Sequence, residues 1–144
     1  MPAGSLEPRT QVVRVPVRTL IVDDSESALA AISSAAAENP VVEIVGTAKN
    51  GCEALDQARR WQPKLVVMDV EMPKMNGVAA LEQLKREFPD TLVILVSLHD
   101  GPEMRFLCRH SGACAFVCKA FLAQELPGTI EAVLTNLQPQ SSTN

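Results

Sequence analysis

Five short apolar runs rich in β-branched residues, each followed by a helix-length segment, constrain this chain more than any other feature. Residues 17–22, 41–45, 64–68, 92–96 and 115–118 are such runs, and their composition suits strands buried on both faces. Helices are predicted over 25–38, over 51–61 with Asn50 as cap, and from the cap Asn76 to residue 88, ahead of Pro89. A fourth runs from Pro102 to about 110 and closes at Gly112, and a fifth covers 123–137. In the fifth, Pro127 must lie in the first turn, or the helix starts later. Strands alternating with helices give an α/β fold, a doubly wound five-stranded parallel sheet with five helices on its two faces. Residues 1–15 read as a flexible N-terminal arm, 16–137 as one domain, and 138–144 as a flexible tail.

Composition narrows the function classes. A chain of 144 residues with 47% hydrophobic and 21% charged residues matches one globular domain that needs no metal or disulfide to fold. Its formal charge of −4 argues against direct DNA or RNA binding, although Arg9, Arg14 and Arg18 make the start locally basic. The longest apolar run, 113–118, is far too short to span a membrane, and no apolar leader opens the chain, so a cytoplasmic location is expected. Cys52, Cys108, Cys114 and Cys118 form no C-x-x-C pair and complete no zinc spacing with His99 and His110. They read as reduced thiols, three of the four among apolar neighbours.

Working groups in such sheets collect at the carboxyl ends of the strands. Strand one is followed by Asp23-Asp24-Ser25, strand three by Asp69 and then Val70-Glu71-Met72-Pro73, strand four by Ser97, and strand five by Lys119. A nucleotide-binding fold would place a glycine-rich turn after strand one, where this chain has two aspartates that repel phosphate. Three clustered carboxylates repel one another until a hard cation neutralises them, and oxygen-only ligands suit Mg2+. With the cation bound, the pocket accepts an anion and the Asp69 carboxylate can act as a nucleophile toward a phosphoryl group. Such transfer depends mainly on positioning and charge neutralisation, which Mg2+ and Lys119 can supply.

The segments Leu-Ile-Val-Asp23-Asp24-Ser, Asn50-Gly51-x-Glu53-Ala54-Leu55, Val-Met-Asp69-Val-Glu-Met72-Pro73-x-Met-Asn-Gly77 and Phe116-Val-Cys-Lys119 together resemble the receiver domain of bacterial two-component response regulators. In detail they look most like the NarL/FixJ type, over about 17–137. The resemblance implies a flavodoxin-like sheet of strand order 2-1-3-4-5 and phosphorylation of Asp69 by a sensor histidine kinase. It implies that Asp24, Asp69 and the backbone carbonyl of Glu71 coordinate Mg2+, with Asp23 acting through water. It further implies that Lys119 pairs with the phosphoryl oxygens, that Ser97 hydrogen-bonds one of them, and that Phe116 is the aromatic switch. The fourth and fifth helices are the family's usual partner surface, which makes a homodimer through them an expectation.

The chain also departs from the family pattern. Ala120 follows Lys119 where many receivers have a cis proline, so the peptide is either trans or a site of strain. Phe116 lacks a phenol, leaving a switch by packing alone or a plain core aromatic. Glu71 and His99 each lie two residues beyond an active-site residue, where they can tune the phosphorylated state; for His99 an exposed loop residue is the alternative. Arg105 and Arg109 form a basic patch or simply a solvated face. NarL-type regulators continue into a DNA-binding domain, whereas this sequence stops at Asn144, as a stand-alone receiver or a fragment. Two other function classes compete: a phosphohydrolase using Glu71 as its acid/base group, and a receiver-like module that is never phosphorylated.

Overall fold

The computed structural model describes residues 15–137, so the expected tail and, but for exposed Val15, the expected arm lie outside the described residues. Five parallel strands, β1 (Val17–Val22), β2 (Val42–Ala48), β3 (Leu65–Asp69), β4 (Leu92–Ser97) and β5 (Ala115–Cys118), form one sheet of order β2-β1-β3-β4-β5. Helices α1 (Glu26–Ala36), α2 (Gly51–Trp61), α3 (Gly77–Glu87), α4 (Pro102–Ser111) and α5 (Leu122–Leu137) connect and follow the strands. The 2-1-3-4-5 order and the doubly wound α/β class are as expected.

Strand alternation divides the interior into two layers. Leu20, Val22, Met68 and Leu95 point to one face with Leu55, Leu81 and Leu84 of α2 and α3. Ile21, Val67, Ile94 and Val96 point to the other, under Ile32 of α1 and Leu126 and Ile130 of α5. Because both faces are covered, β3 is buried at every residue. The strand-end loops are thereby held on a rigid base.

Side-chain caps fix where the helices start. Ser25 Oγ accepts from the Ala28 amide at 3.2 Å, Asn50 Oδ1 from Glu53 at 2.9 Å, and Asn76 Oδ1 from Ala79 at 2.9 Å. Gly112 ends α4 at φ 101°, a conformation that favours glycine.

Several expectations need correction. β2 runs to Ala48 and is mostly half-exposed, with Glu43 and Thr47 open to solvent, because it is an edge strand. Its pairing with β1 shifts register between Thr19 and Leu20, a bulge that breaks the apolar run before the strand ends. β5, the other edge, is likewise only half-buried over its first two residues. Helix α1 begins after Ser25 and ends at Ala36, shorter than predicted. In α5 the helix begins at Leu122, so Pro127 sits in its second turn rather than its first, where it removes one backbone donor. Cys108 and Cys118 are buried, but Cys52 and Cys114 are exposed, so two of the four thiols rather than three lie in the interior. The described residues contain no cis peptide; Lys119–Phe121 instead make a single 3-10 turn that leads into α5.

Candidate functional site

The carboxyl edge of the sheet brings together Asp23 after β1, Asp69 at the end of β3, Ser97 at the end of β4 and Lys119 after β5. Asp23 and Ser97 are fully buried and Asp69 is 2% exposed, whereas the neighbouring Asp24 is exposed. Backbone bonding sets these positions. The Asp23 amide donates to the Ala48 carbonyl at 3.0 Å, and the Val70 amide donates to the Val96 carbonyl at 2.9 Å, carrying the β3–β4 pairing past Asp69.

The loop after β3 closes tightly over Asp69. The Gly77 amide donates to the Val70 carbonyl at 2.8 Å, and a Cβ at Gly77 would run into the Asp69 carbonyl oxygen. Only glycine allows that approach. Lys74, in the same loop, holds φ at 70°, a left-handed conformation that is uncommon for a side chain of this size.

Lys119 reaches inward from the 3-10 turn. Its Nζ lies 2.6 Å from Asp23 Oδ2 and 3.4 Å from Asp69 Oδ1. Neither of those two buried oxygens has an aligned hydrogen-bond donor among the described residues. Asp23 Oδ1 is satisfied, since it accepts from the Ser25 amide at 2.9 Å and so tightens the turn into α1.

Electrostatics follow from burial. Desolvation, and then the charge of Asp23, push the Asp69 carboxyl from its ordinary 3.8 up to about 6, with Lys119 and the Glu71 backbone pulling the other way. Burial works against the charge of Lys119, but Asp23 and Asp69 together outweigh it and leave its pKa raised. A group of buried carboxylates that one ammonium neutralises only in part is short of positive charge. Asp23, Asp24 and Asp69 each offer a carboxylate oxygen, all within 4.8 Å of one another, an all-oxygen set that fits a divalent cation.

The remaining predicted residues lie around this centre. The Glu71 carboxylate lies against Ser97 and His99 and is not one of the carboxylates grouped around Asp69. Its two oxygens lie 3.3 and 3.2 Å from Ser97 Oγ, and Oε2 lies 2.5 Å from His99 Nδ1. His99 is exposed, as one of its two readings expects, yet tied to the site through Glu71. Phe116 on β5 is half-buried against the core, and the Arg105 guanidinium of α4 sits over its ring at 5.1 Å. Arg105 also pairs with Asp100 at 2.7 Å. The Asp100–Arg105–Phe116 arrangement was not anticipated: Asp100 and Arg105 are five apart and straddle the helix start, a spacing that carries no periodic signal.

Known proteins resemble this chain along most of its described length. A family model described as "Response regulator receiver domain" matches residues 19–131. A protein-glutamate methylesterase/protein-glutamine glutaminase from Alkalilimnicola ehrlichii is 37% identical over 123 residues, 85% of this chain and 31% of that protein. The chain thus spans about a third of the length of the curated relatives it matches. Among solved structures, the response regulator domain of Thermotoga maritima CheB is 30% identical with a TM-score of 0.74, covering 83% of this chain and 95% of that one. The signal receiver domain of the response regulator NarL from Mycobacterium tuberculosis is 25% identical with a TM-score of 0.74, covering 88% and 99%.

Proposed function

This chain belongs to the response regulator receiver domains, phosphorylatable switches of two-component signalling, and on that premise we propose that Asp69 is its phosphoacceptor. The observation that carries the assignment is the buried Asp23–Asp69 pair around Lys119, with one oxygen of each carboxylate lacking an aligned donor. Buried carboxylates in this state favour a bound cation, and a cation there would make the pocket receptive to an anion. In this reading Asp24, Asp69 and the backbone carbonyl of Glu71 hold Mg2+, with Asp23 acting through water. A cation held by these residues would supply charge neutralisation for the incoming phosphoryl group.

The donor in this proposal is a phosphohistidine of a sensor histidine kinase. An Asp69 carboxylate oxygen attacks phosphorus in line, forming the acyl phosphate P–O bond. The P–N bond to the donor breaks, its electron pair stays on the imidazole nitrogen, and that nitrogen takes up a proton from solvent. At neutral pH a carboxyl with a pKa of about 6 is mostly ionised and ready to attack. Lys119, already at the mouth of the pair, swings its ammonium onto a phosphoryl oxygen. Ser97 donates its hydroxyl to another, and Phe116 follows inward as Ser97 moves. Hydrolysis of the acyl phosphate, assisted by the same groups, returns Asp69 to its resting form.

We place the functional domain at residues 16–137. The exposed Phe106 and Leu107 of α4 support a homodimer through α4 and α5, and the acidic balance supports control through protein contacts rather than direct DNA binding. No helix among the described residues is long and apolar enough to cross a membrane, in line with the cytoplasmic placement we propose. Intact-mass spectrometry after acetyl phosphate treatment, with and without Mg2+, tests the assignment. One phosphoryl adduct that requires both Mg2+ and Asp69 is expected; undiminished labelling of Asp69→Asn would sink it.

A further inference from the structure

The chemistry above makes no use of the Glu71 side chain, yet that carboxylate is fully engaged. Ser97 Oγ stands within hydrogen-bond distance of both its oxygens, and His99 Nδ1 holds Oε2. The His99 amide closes the ring by donating to Ser97 Oγ at 3.0 Å. A serine hydroxyl carries one proton. With a lone pair taken by the His99 amide, the Ser97 proton goes to Glu71. Ser97 is fully buried while the Glu71 side chain is 43% exposed, so Glu71 reaches down onto the hydroxyl from the mouth of the site.

Ser97 cannot donate that one proton to Glu71 and to a phosphoryl oxygen on Asp69 at once. We propose that Glu71 is a positioning residue that restrains the switch, holding the Ser97 hydroxyl in its resting direction while His99 pins the carboxylate in place. This inference rests on the reading of Asp69 and Ser97 given above. Phosphorylation must break the Ser97–Glu71 hydrogen bond before Ser97 turns, and the break releases Glu71 and His99 together. Since Glu71 follows β3 and His99 follows β4, one event at Ser97 frees both loops from its hydroxyl while Glu71 and His99 stay joined to each other. The chain thereby sets its resting state with its own side chains, independently of any kinase.

The test uses the whole chain and the phosphoryl analogue beryllofluoride with Mg2+, titrated by NMR. Glu71→Ala should bind the analogue about tenfold more tightly than wild type, the size expected when one hydrogen bond to a charged group no longer has to be broken. Glu71→Gln keeps an acceptor oxygen without the charge and should fall between the two. In a Ser97→Ala background the gain from Glu71→Ala should vanish, because the restraint acts through that hydroxyl. A gain that persists without Ser97 would reduce Glu71 to a repelling charge and overturn the proposal, as would no gain at all. In metal-free protein the His99 amide resonance should move in Glu71→Ala toward its position in analogue-bound wild type; an unmoved resonance also overturns it. Failure of the underlying site reading looks different: wild type then binds no analogue and takes up no adduct from acetyl phosphate.

Discussion

Replacing the proposed phosphoacceptor should stabilise the metal-free protein. The Asp69 carboxyl is 2% exposed beside Asp23, and its pKa stands at about 6 against an ordinary 3.8. That gap corresponds to about 3 kcal/mol of penalty on the ionised form. Because the folded state holds the Asp69 proton more tightly than the unfolded chain, the favourable contribution of this group is fully present below pH 3.8. It is lost as pH rises through 6. An asparagine amide in its place cannot ionise and escapes the penalty, while Lys119 keeps its nearer partner Asp23 at 2.6 Å.

In EDTA at pH 8, Asp69→Asn should therefore exceed wild type by up to about 3 kcal/mol in urea unfolding, with about half of that gap left at pH 5. Adding Mg2+ at ten times its dissociation constant should raise wild type by about 1.4 kcal/mol and the variant, with a carboxylate ligand removed, by less. Urea midpoints at pH 5 and pH 8, with EDTA and with Mg2+, measure all of these differences. A variant less stable than wild type at pH 8, or a gap that ignores pH, would refute the claim that the site bears the cost of an under-neutralised charge.

Three further outcomes follow from the same geometry. Lys119→Ala leaves two buried carboxylates without their cation and should cost about 3 kcal/mol in EDTA, much of it recovered in Mg2+; the variant should still take up an adduct from acetyl phosphate, while the Ser97 and Phe116 resonances no longer shift on labelling. Gly77→Ala drives a methyl group against the Asp69 carbonyl and, at 2.9 Å, the Val70 Cα, so it should lower stability by about 1–3 kcal/mol in urea unfolding and reduce adduct yield. Pro127→Ala restores a helix amide in the second turn of α5 and should raise the melting temperature, by an amount matching about 1 kcal/mol or more, without changing labelling.

Much of this molecule could be read from its residues because the relevant physics is local or periodic. β3 reads as a buried strand since all five of its residues are covered, and its last residue, Asp69, then falls at the carboxyl edge by geometry alone. Asn50 and Asn76 cap as predicted because an Asx side chain needs only the next turn of its own helix. Legibility fails where a distant element decides. The register shift between Thr19 and Leu20 skips Val45 where the apolar run of β2 ends, and the strand continues through Gly46 and Thr47, whose side chains give no apolar signal. In α5, burial of Leu126 and Ile130 against the sheet outweighs the missing amide of Pro127 and holds the helix through a residue that propensity alone would place nearer its start.

The same distinction separates the two halves of the site. Asp23, Asp69, Ser97 and Lys119 sit at strand ends, so the topology collects them whatever their side chains then do. Glu71 and His99 are placed by each other, across 28 positions of sequence. Nothing in the spacing of either residue reports that pairing, and only the fold, by setting the loop after β3 beside the loop after β4, turns two isolated polar residues into a constraint on Ser97. Where topology collects one set of groups and loop side chains the other, the strand-end positions are the part a sequence exposes. The sequence does mark Glu71 and His99 as standing two residues beyond Asp69 and Ser97, but their contact with each other is visible only once the two loops are folded side by side.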